Sequence, residues 1–185
     1  MGRWEPDARG RLIRAAMELY AERGFDQTTA GDIAERAGVT ERTFFRYFPD
    51  KREVLFDGSD LMLKAAYEAI ADAPADSSPL DAALEGVVAC GRLLEDRHEF
   101  AVRRAKIVAA TPSLQERELL KLAAMTDAVA DALRQRGVPD PSASLAAHSA
   151  ITVFHVAFVR WVSDDDPPDY AACVADAAAA LRALT

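Results

Sequence analysis

Ala37-Gly38-Val39-Thr40-Glu41-Arg42-Thr43-Phe44-Phe45-Arg46-Tyr47-Phe48-Pro49-Asp50-Lys51 is the stretch on which the fold turns. Gly38 permits the positive φ that a tight turn between two helices needs. Thr40 suits the cap of a helix over 41–48, and Pro49 stops it. At 100° per residue, Phe44, Phe48, Glu41 and Phe45 fall on one side of that helix. Arg42, Thr43, Arg46 and Tyr47 fall on the other. An aromatic inner face thus opposes an outer face of two arginines, a threonine and a tyrosine. Such groups suit phosphates and base edges in a major groove.

Working outward, Thr29 and Asp32 form a capping-box pair before a short helix carrying Ile33, Ala34 and Ala37. Further upstream, a helix over 6–23 opens with Pro6 and Asp7, buries Leu12, Ala16 and Leu19, and ends at Arg23-Gly24. Three helices in fifty residues, with Ala37–Thr40 between the second and third, make a helix-turn-helix. Downstream, Asp50 and Glu53 are expected to open a long helix over 51–72. Lys51 and Arg52 then stand at its positive end, an unfavourable place unless a phosphate joins them.

Helical periodicity continues to the end, and no strand alternation interrupts it, so the class is all-α. After the turn-rich 73–79, helices are expected near 80–95, 98–110, 114–136, 142–163 and 170–184. A further break falls at 164–168. The domains read as 1–50, a helix-turn-helix, and 51–185, a second helical domain, to which the family resemblance below adds ligand binding and dimerisation. The net charge of −8 divides unevenly: residues 1–57 sum to −1 and the rest to −7. The near-neutral part can bind DNA if its cations share a face. Cys90 and Cys173 read as free thiols of a cytoplasmic protein. Residues 141–159 are uncharged, but their serines, threonine and histidines point to a buried helix and not a membrane span.

Residues 12–56 resemble the DNA-binding domain of the tetracycline-repressor (TetR) family. The matching runs are Ala-Glu-Arg-Gly-Phe at 21–25, Thr-Thr-Ala-Gly-Asp-Ile-Ala at 28–34, Ala-Gly-Val-Thr at 37–40 and Thr-Phe-Phe-Arg-Tyr-Phe-Pro-Asp-Lys at 43–51. The resemblance implies a homodimer joined through its last two long helices and bound to an inverted repeat in double-stranded operator DNA. By position, Thr29 and Thr40 touch phosphates at helix starts. Arg42, Thr43 and Arg46 reach bases or backbone, and Tyr47 and Lys51 anchor phosphates. Phe45 replaces a tyrosine common in the family, so only an apolar contact remains there. Gly31 inside the second helix departs from good helix propensity by about 1 kcal/mol relative to Ala.

The second part is expected to hold a small-molecule effector, apolar or acyl-CoA-like. The layout around Arg103 and Trp161 is similar to actinobacterial family members, some of which respond to acyl-CoA thioesters. Candidate ligand contacts are Arg103, His148, Phe154, His155 and Phe158. Arg103, Arg104 and Lys106 form a basic cluster, read first as a solvated helix face. His148 and His155 are seven apart with no cysteine or carboxylate at metal spacing, so no metal or cofactor is expected. No nucleophile elbow, zinc-protease or phosphate-loop motif occurs, and the chain does not read as an enzyme. A repressor released by its effector is the leading reading. A DNA-binding dimer without sensing is the alternative.

Overall fold

The computed structural model describes residues 7–164 and 166–184. Pro6, expected at the first helix's start, and Asp165, within the expected break at 164–168, lie outside the described residues. Among these, all regular structure is helical: α1 (Ala8–Arg23), α2 (Ala30–Arg36), α3 (Glu41–Tyr47), α4 (Ser59–Asp72), α5 (Pro79–Arg92), α6 (His98–Ala109), α7 (Pro112–Gln135), α8 (Ser142–Ser163) and α9 (Tyr170–Arg182). The chain forms two compact units. One comprises Met1–Asp57 and Arg103–Glu118; the other comprises Gly58–Val102 and Leu119–Thr185. The division expected after residue 50 thus differs from the observed one, which falls after Asp57 and again inside α6 and α7.

In the first unit α1 packs on α2, and α2 on α3. Leu12, Ala16 and Leu19 are buried along α1, as their spacing requires. Arg36 of α2 reaches back to Glu22 and Glu18. Gly24 and Gly38 take the positive φ values, 86° and 68°, that end α1 and turn α2 into α3.

The long helix expected over 51–72 does not form. Glu53–Phe56 is a 3₁₀ turn, and α4 starts only at Ser59, after Gly58 in a left-handed conformation. The cause is burial. Val54, Leu55 and Phe56 are all in the core. Three consecutive residues cannot share one face of an α-helix at 100° per residue. Asp50 keeps half of its expected capping role, accepting from the Glu53 N–H at 3.3 Å. The Glu53 carboxylate instead receives Arg117 Nε at 2.6 Å.

In the second unit α5 packs against α4, α8 and α9. Ser78 caps it and Pro79 takes its first turn. Arg136, just beyond α7, donates to the carbonyls of Ile70 and Ala73 and, through its other terminal nitrogen, to Pro74, all within 2.9 Å. Those bonds bring a charged donor to carbonyls at and just beyond the α4 C-terminus, where intrahelical N–H partners run out. By length and composition α8 could cross a bilayer. Here it buries Ala147, Ala150, Val153, Ala157 and Trp161 among α5 and α9.

Tyr170, at the start of α9, is fully buried and donates to the Phe154 carbonyl at 3.1 Å. Its ring lies against Gly91 of α5 so closely that a Cβ there would stand 1.9 Å from Tyr170 Cδ1. Gly91→Ala should therefore destabilise the protein by about 1–3 kcal/mol, the usual penalty for overpacking a core. Urea unfolding followed by circular dichroism measures it, and an unchanged midpoint would show that the ring relocates freely.

Candidate nucleic-acid interface

The face of α3 is set by two anchors. Phe44 is 0% and Phe48 2% exposed, and their rings meet at 5.6 Å. Thr40 caps the helix by accepting from the Thr43 N–H at 3.2 Å, and its hydroxyl also bonds Thr43 Oγ1 at 3.0 Å. With one side pinned and the start fixed, the remaining side chains point outward. Arg42, Phe45, Arg46 and Tyr47 are all exposed.

Phe45 falls on the inner side of the helical wheel, while the resemblance places it as an apolar contact to DNA; it is 51% exposed, its ring edge-on to Phe44 at 5.3 Å. The wheel placement does not hold, because Phe44 and Phe48 supply the buried rings. Arg46 lies over the Tyr47 ring at 4.9 Å and donates to its hydroxyl at 3.2 Å. Among the described residues, Arg42 has no hydrogen-bond or ion-pair partner.

The other expected phosphate contacts are engaged internally. Thr29 Oγ1 accepts from the Asp32 N–H at 3.1 Å and the Thr29 N–H donates to the Asp32 carboxylate at 2.8 Å, closing the expected capping box, while the Thr29 hydroxyl donates to the same carboxylate at 2.6 Å. Arg23 adds an ion pair to the same carboxylate at 2.8 Å. An anion approaching the start of α2 therefore meets Asp32. Lys51 does not open a helix, so the dipole argument for a phosphate beside it no longer applies. Its ammonium donates to the carbonyls of Phe25 and Thr28, both at 2.8 Å, and sits over the Phe25 ring at 4.2 Å. Burial lowers its pKa below the usual lysine value, against the pull of Asp26. Tyr20 completes this tie by donating to the Lys51 carbonyl at 2.6 Å.

Sequence reasoning missed a second set of contacts in this unit. Arg104 belongs to the basic cluster read as solvated. Instead it donates to the Leu55 carbonyl at 2.7 Å, pairs with Glu118 at 2.8 Å and lies over the Phe56 ring at 4.9 Å. Nothing local signals a partner 49 residues away.

The five candidate ligand contacts are divided between the two units. Arg103 is exposed and belongs to the first unit. His148 and His155 are exposed on α8. Within the second unit Phe154 and Phe158 come together, stacked at 6.2 Å. They join a cluster that sequence reading only touched: Trp161 meets Tyr170 edge-on at 5.6 Å, and His98 stacks edge-on to Trp161 at 4.5 Å while bonding its carbonyl. Cys90 and Cys173 are free and buried, and burial pushes the Cys90 thiol up to about 12.

Residues 12–57 match the family described as bacterial regulatory proteins, tetR family. Residues 77–185 match the family described as the MftR C-terminal domain. Over 74 residues, 40% of this chain, the sequence is 40% identical to the HTH-type transcriptional regulator TcmR of Streptomyces glaucescens. That match spans 33% of TcmR's own length. The HTH-type transcriptional activator FasR of Mycolicibacterium smegmatis is 24% identical over 168 residues, 88% of this chain and 76% of FasR. Among solved structures, the repressor FadR of Thermus thermophilus, in complex with lauroyl-CoA, superposes with a TM-score of 0.56 at 26% identity. That superposition covers 94% of this chain and 92% of FadR.

Two outcomes follow from this geometry. Lys51→Met should lower stability by about 1–3 kcal/mol, because two carbonyls lose a charged donor. Thermal unfolding without DNA reads this; a variant that melts like wild type but binds DNA with a flatter salt dependence would restore Lys51 to the phosphates. Asp32 is the second case. Its bonds from the Thr29 hydroxyl and N–H, with Arg23 beside it, hold its pKa at about 2, below the ordinary 3.8. A depressed carboxylate contributes stability above its unfolded pKa and loses it as pH falls through the folded one. The gap in melting temperature between wild type and Asp32→Asn should thus be full at neutral pH and close between pH 3.8 and about 2. A gap independent of pH would assign the effect to something other than the charge.

Proposed function

The chain belongs to the tetR family of bacterial regulatory proteins, and from that membership we propose that it is a DNA-binding transcriptional repressor released by a small-molecule effector. One observation carries the reading: α3 buries Phe44 and Phe48 and turns Arg42, Phe45, Arg46 and Tyr47 to solvent, directly after a helix-turn-helix turn. Two guanidiniums and a phenol on a helix of major-groove width are suited to base edges and phosphates. In this proposal Arg42 and Arg46 read bases or backbone and Tyr47 bonds a phosphate. Thr43 lies beside them at the cap. Thr29, Thr40 and Lys51 hold the frame that presents them, and any phosphate contact they make is secondary to that.

The operator is an inverted repeat read by a homodimer through α8 and α9. Leu145, Val156 and Val159 of α8 and Leu184 after α9 are exposed apolar side chains, which a single chain leaves in water. His148 and His155 stand among them on α8 and belong to this interface in the proposal, not to a ligand site. A two-fold dimer would set its two reading helices about one DNA turn apart. Such a regulator acts in the cytoplasm, where its operator lies.

The effector proposed is an acyl-CoA thioester. FadR of Thermus thermophilus, similar along 94% of this chain, binds lauroyl-CoA. The aromatic cluster of Phe154, Phe158, Trp161 and Tyr170 offers apolar surroundings for an acyl chain. Release requires that the ligand bind more tightly to a state that spaces the reading helices differently.

The test is selection of genomic fragments by the purified chain, then fluorescence anisotropy on the recovered sequence. An inverted repeat should be enriched. Lauroyl-CoA should weaken its binding about tenfold, within the usual range of allosteric coupling, and free CoA should not. Enrichment of no sequence in either condition would sink the operator reading. An operator complex indifferent to acyl-CoA of every chain length would sink the effector alone.

A further inference from the structure

Arg42, Phe45 and Arg46 stand at i, i+3 and i+4 on α3, so they share one surface of the helix. The middle of that surface is a phenyl ring, 51% exposed. It is braced, not loose: its ring meets the fully buried Phe44 at 85° and 5.3 Å. A phenyl group has neither donor nor acceptor, so it makes no hydrogen bond to a phosphate. Arg46 folds its guanidinium onto Tyr47, on the flank away from Phe45. The apolar ring is left beside Arg42 on the side that the proposed operator complex turns to the bases.

A major groove presents donors, acceptors and one apolar group, the 5-methyl of thymine. We propose that Phe45 reads a thymine 5-methyl group at one position in each operator half-site. The inference rests on the operator-binding reading above and deepens it, since it names a base that the operator must contain. The same methyl occurs on 5-methylcytosine, but that base carries an amino donor where thymine has a carbonyl acceptor.

The experiment uses the full-length chain and its selected inverted repeat, with each thymine replaced in turn by deoxyuridine, which removes only the methyl. One position per half-site should lose about fourfold in affinity, the effect of exposing one methyl-sized group. Replacement in both half-sites should lose about fifteenfold, the product of the two. The sensitivity should disappear in Phe45→Ala and persist in Phe45→Leu, which keeps an apolar side chain. A cytosine at that step should bind more weakly than 5-methylcytosine by a similar factor, which separates the methyl from the rest of the base. An operator indifferent to deoxyuridine at every thymine overturns the inference while leaving operator binding intact. Sensitivity that survives in Phe45→Ala also overturns it, because another group then reads the methyl. A wild-type chain that selects no sequence brings down the operator reading and this inference together.

Discussion

One ammonium group ties the helix-turn-helix unit together. Lys51 lies after α3 in the chain, yet its Nζ reaches the carbonyls of Phe25 and Thr28 in the loop before α2. Its own carbonyl accepts from Tyr20 on α1. A hydrogen bond to a charged donor is worth more than a neutral one, and these carbonyls are partly out of water. The tie joins the segment leaving α3 to the loop entering α2 and to α1.

Much of this unit was legible because its signals are local. The Thr29–Asp32 box, the Thr40 cap, Gly38 and Pro49 each act within four residues, and each stands where its chemistry predicts. Periodicity likewise located α6, α8 and the start of α9 closely. The failures share a cause. A helical wheel turns Phe45 inward because it counts angle alone; the resemblance, which places Phe45 on the DNA side, agrees with its exposure. The helix expected from Lys51 broke because Val54, Leu55 and Phe56 are all claimed by the core. Charge alone also gives no hint of the backbone carbonyls that Lys51 and Arg104 bond, 23 or more residues away, because a carbonyl leaves no mark on a sequence.

The second unit was legible as helices and not as a site. Its interior is built from alanines, aliphatics and a ring cluster whose members come from α6, α8 and α9. Such residues pack by shape, and shape depends on neighbours that a sequence does not display. Gly91 is the clearest instance. In the sequence it is a weak point inside a helix. In the structure it is the space in which Tyr170 lies. His148 and His155 stand among the candidate ligand contacts, but both are exposed on α8, which also leaves Leu145, Val156 and Val159 uncovered.

The contacts of Arg104 and Arg117 bear on how separable the reading unit is. Leu55, Glu53 and the Phe56 ring receive these two guanidiniums, from α6 and α7, some fifty residues or more further along the chain. The family boundary at residue 57 therefore marks where one sequence pattern ends, not where a self-sufficient body ends. A transplant of residues 7–57 onto another regulator would carry α3 but leave behind the cations that bind the 3₁₀ turn at Glu53–Phe56. Grafting specificity between relatives thus means moving two pieces of chain, the helix-turn-helix and residues 103–118, as one heritable module.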